Sequence, residues 1–155
     1  MSFRVTGLDP APFRPLFGLD DAALVTHGAR RCIADAKPGY PDRIELRDAE
    51  PGESLILLNY THQPADNPYR ASHAIFVREG AEVAGIFVDE IPKALAIRPI
   101  SLRAFDARDE MIDADVIDGN ALGPLIERML ARPGVAYLHA HYAKRGCYAA
   151  RIERA

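Results

Sequence analysis

The fold is decided by two stretches, Ile100-Ser-Leu-Arg-Ala-Phe105 and Met111-Ile-Asp-Ala-Asp-Val-Ile117, and by the link between them, Asp106-Ala-Arg-Asp-Glu110. Apolar and polar residues alternate on both sides of the link, and such alternation predicts two half-buried strands. Because a link this short leaves no room for a crossover helix, the two strands must pair antiparallel as a hairpin. The hairpin therefore predicts a sheet built from neighbouring antiparallel strands.

Three other segments extend this pattern. Val135–Tyr142 and Cys147–Arg154 flank a short polar turn and predict a second hairpin. Arg43–Arg47 alternates, with Ile44 and Leu46 on one face, and predicts one more half-buried strand.

A helix is predicted from Asp118 or Asn120 to about Ala131, because capping side chains precede an apolar stripe and Pro133 follows it. The whole chain gives about nine strands and about two helices, with mostly short connections. We therefore predict an α+β fold with a mostly antiparallel, curled sheet. A barrel- or sandwich-like arrangement is favoured, because open strands would leave exposed edges.

Size and composition are those of one globular domain that spans residues 1–155. Hydrophobic residues make up 48% and charged residues 26%, which excludes a disordered chain. The net charge of -3 argues against a generic nucleic-acid binder. Apolar runs such as Leu55–Leu58 are far shorter than the roughly 18 residues that a membrane span needs. We therefore expect neither nucleic acid nor membrane as a partner.

The compartment is predicted from the two cysteines, Cys32 and Cys147, and from an N-terminus without the basic and apolar regions of a secretory signal. Thiols stay reduced in the cytoplasm, so we expect a cytoplasmic protein. The oligomeric state does not follow from the sequence.

A polar segment, Thr61–Ser72, separates two apolar strands, and loops at strand ends often carry binding sites. With the residues that flank it, this segment supplies Tyr60, His62, Tyr69 and Arg70. A guanidinium can donate two parallel hydrogen bonds to a carboxylate or phosphate, so Arg70 is the predicted anion contact. The alternative is a surface loop in which Arg70 bonds the loop's own carbonyl groups.

His139 and His141 are two residues apart on a predicted strand, so their imidazoles share one face. Such a pair can bind zinc or iron when other strands supply further ligands. His62, His73, Cys147 or an aspartate of the acidic hairpin could supply them. The alternative is a solvated or cleft-facing stripe of side chains with no metal. We predict no cofactor, with a divalent metal at these histidines as the alternative. Classical phosphate-binding and nucleophile motifs are absent.

Two further hypotheses rest on single segments. Cys147 follows a glycine turn with basic neighbours, and a cation can activate a thiol as a nucleophile. The acidic hairpin over residues 106–118 carries Asp113 and Asp115 on one strand face and is a candidate docking surface for a partner protein.

Several phrases resemble the bacterial domain-of-unknown-function family 1203. They are Lys37-Pro-Gly-Tyr-Pro41, Leu57-Leu-Asn-Tyr60, Asn67-Pro-Tyr-Arg70, Ile75-Phe-Val77, Gly146-Cys-Tyr148 and Arg151-Ile-Glu-Arg154. The resemblance covers essentially the whole chain and implies a small stand-alone bacterial protein, without implying an activity. Its shared residues favour an arginine-centred pocket over a histidine cage.

The function expected from the sequence is therefore binding of an anionic small molecule in a polar pocket around Arg70, lined by Tyr60, His62, Tyr69 and Cys147. The first alternative is a metal-dependent hydrolase or dioxygenase that uses His139 and His141 with His62, or an enzyme with a Cys147 nucleophile. The second alternative is an interaction module that uses the acidic hairpin.

Overall fold

A computed structural model describes all 155 residues and contains nine strands and three helices. The strands are β1 (Phe3–Thr6), β2 (Arg30–Ile33), β3 (Ser54–Gln63), β4 (Ala71–Arg78), β5 (Ile86–Val88), β6 (Pro99–Phe105), β7 (Met111–Asp118), β8 (Tyr137–Tyr142) and β9 (Tyr148–Arg154). The helices are α1 (Asp21–Thr26), α2 (Lys93–Ala96) and α3 (Leu122–Ala131), with 3-10 turns at Arg14–Leu16 and Gly119–Ala121.

The strands form two antiparallel sheets. The larger sheet has six strands in the order β5-β1-β9-β8-β6-β7, and the smaller has three in the order β2-β3-β4. Both predicted hairpins are present, because β6 pairs with β7 and β8 pairs with β9. Neither sheet closes on itself, so the predicted α+β fold is confirmed in its sandwich-like form.

Helix α3 covers one face of the larger sheet. Its apolar stripe of Leu125, Ile126, Met129 and Leu130 is buried, as the sequence predicts. These side chains belong to one cluster with the inward-facing residues of the sheet, such as Leu138 and Ala140 of β8. Because strand residues alternate between faces, the same packing sends His139 and His141 to the opposite face.

The smaller sheet packs against the N-terminal segment. Ile56 and Val77, which are paired across β3 and β4, form a second buried cluster with Phe13 and Leu24. Asp20 begins α1 as its N-cap, and its carboxylate accepts a hydrogen bond of 2.8 Å from the Ala23 amide. The two sheets meet near the end of β3, beside β8 and β9.

One predicted strand is wrong. Arg43–Arg47 forms a turn, in which Leu46 has a left-handed φ of 60°. The side chain of Asp42 accepts hydrogen bonds from the amides of Ile44, at 3.2 Å, and Glu45, at 2.6 Å. These local bonds compete with a strand ladder, and an Asx turn forms instead.

Strand β3 is longer than the sequence predicts and runs to Gln63. His62 therefore lies on a strand, and the connecting loop is limited to residues 64–70. None of the helices combines the length and the apolar character needed to cross a membrane.

Candidate functional site

Three imidazoles converge where the two sheets meet. His62 comes from β3, and His139 and His141 come from β8. One nitrogen from each ring lies within 4.8 Å of those from the other two. His139 is 3% and His141 is 1% exposed, and His62 is half-buried.

Each of the three rings has a buried nitrogen without a hydrogen-bond partner. These atoms are His62 Nδ1, His139 Nδ1 and His141 Nε2. The other nitrogen of His141, Nδ1, lies 2.9 Å from the Gly146 carbonyl oxygen. A carbonyl only accepts, so Nδ1 must carry the proton and donate it, and Nε2 keeps its lone pair. This arrangement is the usual one for a metal-binding histidine.

Burial keeps the three rings neutral. It lowers the pKa of His62 to about 4 and the pKa of His139 and of His141 to about 3. The positive charge of Arg103 lowers all three pKa values further. At neutral pH the rings therefore offer lone pairs instead of positive charge, which is the state that a metal ion needs.

Aromatic side chains hold the rings in place. The ring of Tyr148 stacks on His62 at a centroid distance of 5.5 Å and meets His139 edge-on at 5.2 Å. Tyr60 packs against Tyr148 at 5.8 Å. Because every ring packs against an aromatic neighbour, ordering the three rings around an ion would cost little side-chain entropy.

A small cavity of about 180 Å³ opens beside the histidines. His62 and His139 line it together with Tyr60, Tyr148 and Arg151. This space gives a small molecule access to two of the three histidines.

Two arginines and the carboxylate of Asp9 lie in this region. Arg103 of β6 lies directly across the sheet from His139 of β8. No carboxylate lies within ion-pair distance of its guanidinium. Its one side-chain hydrogen bond is donated to the Ser101 hydroxyl, at 3.3 Å. Burial lowers the pKa of Arg103, as expected for a cation with little solvent. Arg151 lies at the cavity and pairs with Glu153.

The chemical capacity of the cluster follows from its three neutral nitrogens. Zinc binds imidazole nitrogen at about 2.0–2.1 Å, and catalytic zinc sites use three protein ligands and leave one position open. Nitrogens that lie within 4.8 Å of one another need only small side-chain rotations to reach one ion. The cluster is therefore a candidate three-histidine metal centre.

The structure brings together four of the residues that the sequence singled out. His62, His139 and His141 form the cluster, and Tyr60 lines its cavity. A solvated histidine face is wrong, because both β8 histidines are buried. A cleft-facing stripe without a metal is not contradicted, since His139 lines a cavity.

The remaining predicted ligand contacts lie elsewhere. Arg70 is exposed, does not line the cavity beside the histidines and donates a hydrogen bond of 2.6 Å to the Pro64 carbonyl oxygen of its own loop. Tyr69 is 38% exposed and lines neither cavity. Cys147 lines a larger cavity on the other face of the β8–β9 hairpin. The structure therefore does not gather these three side chains around His62.

The acidic hairpin lies at the edge of the larger sheet. Asp113 and Asp115 of β7 form ion pairs with Arg132, at 3.3 Å, and with Arg128, at 3.5 Å. Each aspartate also accepts a hydrogen bond from the backbone amide that follows it in the strand. The hairpin is exposed, but local partners already take up part of its charge.

Sequence analysis missed Tyr148, Arg103 and Arg151 as members of this site. Tyr148 pairs with His141 in the sheet, and Arg151 and Arg103 both pair with His139. Partners directly across a sheet share a face, so the register of the β8–β9 hairpin is the signal that could have found Tyr148 and Arg151. No such local signal indicates Arg103, because it lies on β6.

Comparisons with known proteins add one finding. No curated protein matches the chain, and no solved structure matches it. The family described as "Protein of unknown function (DUF1203)" matches residues 39–154, which include all three histidines of the cluster. The chain therefore belongs to the DUF1203 family.

Proposed function

We propose that the protein is a metal-dependent enzyme that acts on a small anionic substrate, with His62, His139 and His141 as the metal ligands. The observation that carries this proposal is the set of buried nitrogens, one on each ring, that have no hydrogen-bond partner within the protein. A buried polar atom without a partner is destabilising, so natural proteins retain few of them. A shared metal ion gives all three a partner at once.

The ligand set supports catalysis over a purely structural role. Three neutral imidazoles leave at least one coordination position of a zinc or iron ion for water or substrate. A bound divalent ion supplies Lewis acidity and lowers the pKa of coordinated water. The cavity beside His62 and His139 would admit a small molecule to that position.

The preference for an anion rests on charge. Three neutral ligands leave the charge of a divalent ion uncompensated, and Arg103 lies on the same face as His139. Arg151 also lines the cavity, but Glu153 pairs with it and Asp9 lines the same cavity, so the excess charge is that of the metal ion and Arg103. A carboxylate or other anionic group on the substrate would neutralise this excess and could accept hydrogen bonds from either guanidinium.

Metal binding is tested on protein that is expressed without a histidine tag. We expect about one Zn²⁺ or Co²⁺ ion to bind per chain after removal of metal with EDTA, measured by elemental analysis and calorimetry. Co²⁺ should give the visible absorption of a site with nitrogen ligands and low coordination number. His139→Ala and His141→Ala should each weaken binding by at least about tenfold, as does loss of an orienting partner in other sites.

The matched control is His27→Ala, because His27 is exposed and lies outside the cluster. Its variant should bind metal like the wild type. Substoichiometric binding, or equal affinity in the His27→Ala and His139→Ala variants, would contradict the proposal.

The anionic-substrate part of the proposal has its own test. Acetate or azide should change the absorption of the Co²⁺ form, because an anion would enter the open position. Arg103→Leu should weaken this anion effect about tenfold, and Arg30→Leu, at an exposed position outside the site, should not. A Co²⁺ spectrum that is insensitive to every anion would show that the ion has no open position and is structural.

The anion site around Arg70 stays a prediction, since the contacts of Arg70 within its own loop neither supply nor exclude an anion. We also propose that the protein works in the cytoplasm. Both cysteines are free thiols, which supports a reducing compartment.

A further inference from the structure

The larger cavity lies on the other face of the β8–β9 hairpin, away from the three histidines. It has a volume of about 590 Å³, which is in the range of about 300–1,000 Å³ for small-molecule sites. Its polar wall includes Arg43, Arg98, Tyr142, Lys144, Arg145 and Cys147, and His73 and Tyr40 also line the cavity. No aspartate or glutamate lines it.

Arg43 is a buried cation without a counter-charge. Its side chain is only 2% exposed. It donates hydrogen bonds to the carbonyl oxygens of Tyr148, at 2.8 Å, and Pro41, at 2.6 Å, and to the sulfur of Cys147, at 3.1 Å. No carboxylate lies within ion-pair distance. An unpaired buried charge is strongly unfavourable, and a guanidinium has two further N–H groups to donate.

Tyr142 provides an independent sign of a missing partner. Its side chain is 5% exposed, and its hydroxyl has no hydrogen-bond partner. The ring lies between two guanidinium groups, 5.0 Å from Arg43 and 5.1 Å from Arg98. Burial raises the pKa of Tyr142 to about 12, so the hydroxyl stays protonated and can donate.

The net charge of the other cations at the cavity sets the charge that a ligand would need to balance it. Arg98 is already neutralised by Asp48 through hydrogen bonds of 2.6 and 2.9 Å. Lys144 and Arg145 are exposed in the β8–β9 turn and have no ion-pair partner. Together with Arg43 they leave an excess of positive charge, which one carboxylate would not balance.

We propose that this cavity binds a phosphate monoester that carries an apolar or aromatic group. The phosphate would accept hydrogen bonds from Arg43 and Tyr142, with Lys144 and Arg145 near its exposed side. A phosphate monoester carries about −1.5 to −2 charges at neutral pH, which fits the excess of cations. Tyr40 and Phe76, whose rings pack at 5.3 Å, line the apolar part of the cavity and would contact the organic group.

The test uses phenyl phosphate as the probe and isothermal calorimetry on protein freed of metal with EDTA, so that metal coordination does not contribute. Phenyl phosphate should bind one to one. Inorganic phosphate should bind more weakly because it lacks the ring, benzoate more weakly because it has one charge, and phenol not measurably. Affinity for phenyl phosphate should fall as the salt concentration rises, because two of the cations are exposed.

Three variants locate the site. Tyr142→Phe removes only an unpartnered hydroxyl, so it should fold and should weaken binding of phenyl phosphate about tenfold. The double variant Lys144→Gln and Arg145→Gln should weaken binding and reduce its salt dependence. Arg30→Gln, which removes an exposed arginine outside the cavity, should have no effect.

Arg43→Met is expected to abolish binding, but its bonds also hold the fold, so it is interpreted only where circular dichroism shows native structure. If Arg43→Met does not fold, the test rests on Tyr142→Phe and on the double variant Lys144→Gln and Arg145→Gln. Wild-type affinity in both of them, failure of phenyl phosphate to bind the wild type, or benzoate binding as tightly as phenyl phosphate would each overturn the proposal. Failure of metal binding at the histidines would leave this result unaffected, because the two sites share no side chain.

Discussion

The stability of the metal-free protein in mildly acidic solution follows from the buried histidines. Burial lowers the pKa of His139 and of His141 to about 3, whereas an imidazole in an unfolded chain titrates near about 6.5. Below about pH 6.5 the unfolded chain therefore binds a proton on each ring that the folded protein does not bind. The free energy of unfolding is thus highest above about pH 6.5 and falls as the pH falls towards about 3.

The size of the effect follows from the same two values. Each ring lowers the free energy of unfolding by up to about 1.4 kcal/mol per pH unit, and by about half of that at pH 6.5, where only half of the unfolded rings carry a proton. The two rings together remove about 3 kcal/mol between pH 6.5 and pH 5, out of a typical total of about 5–15 kcal/mol. The ion-paired carboxylates of Glu53 and Glu79, whose pKa values are lowered to about 2, contribute only at lower pH.

The perturbation is His139→Phe, which replaces one buried ring by another that cannot titrate. The slope of unfolding free energy against pH should fall by up to about 1.4 kcal/mol per pH unit. The variant should also be about 1 kcal/mol more stable than the metal-free wild type at pH 7, because it removes the unpartnered Nδ1.

The assay is urea unfolding followed by circular dichroism in EDTA, at several pH values between about 6.5 and 5. His27→Gln, which changes an exposed histidine, is the control and should keep the wild-type slope. A wild-type slope in His139→Phe would refute the reasoning, because it would mean that burial does not hold this ring neutral.

Two further predictions concern packing, and the same urea assay checks both. A Cβ at Gly119 would lie 1.8 Å from the Leu95 carbonyl oxygen. Gly119→Ala should therefore lower the free energy of unfolding by more than about 2 kcal/mol. The control is Gly123→Ala, which should not lower it, because a Cβ there would lie in open space. Equal midpoints for these two variants would contradict the close approach. Asp48→Asn should lower the free energy of unfolding by about 3 kcal/mol, because Arg98 loses its buried carboxylate partner. A decrease of less than about 1 kcal/mol would show that water replaces the lost ion pair.

The elements of the fold could be predicted where the pattern is local. The two hairpins and helix α3 follow from alternation, short connections and capping residues within about 30 residues of chain. Arg43–Arg47 shows the limit of this approach. Its alternation is that of a strand, but the Asp42 carboxylate accepts hydrogen bonds from two neighbouring amides and a turn forms instead. Apolar periodicity does not report such bonds.

The candidate site could be predicted only in part, for a similar reason. That His139 and His141 share a face follows from the two-residue period of a strand. That His62 is the third member depends on how two separate sheets pack, and no local pattern encodes that contact. Arg70 was favoured because its loop is polar, yet composition cannot distinguish a side chain that binds a ligand from one that bonds its own loop.

Strand β7 ends the larger sheet, and an open sheet edge is a template on which another chain can add a strand. The backbone N–H groups of Ala114 and Val116 already donate to the carboxylates of Asp113 and Asp115, so they are not free to bond to an added strand. Two copies that approach along this edge would also bring like charges together. The acids of the hairpin thus discourage self-association, and variants that neutralise them should aggregate well before they lose their fold.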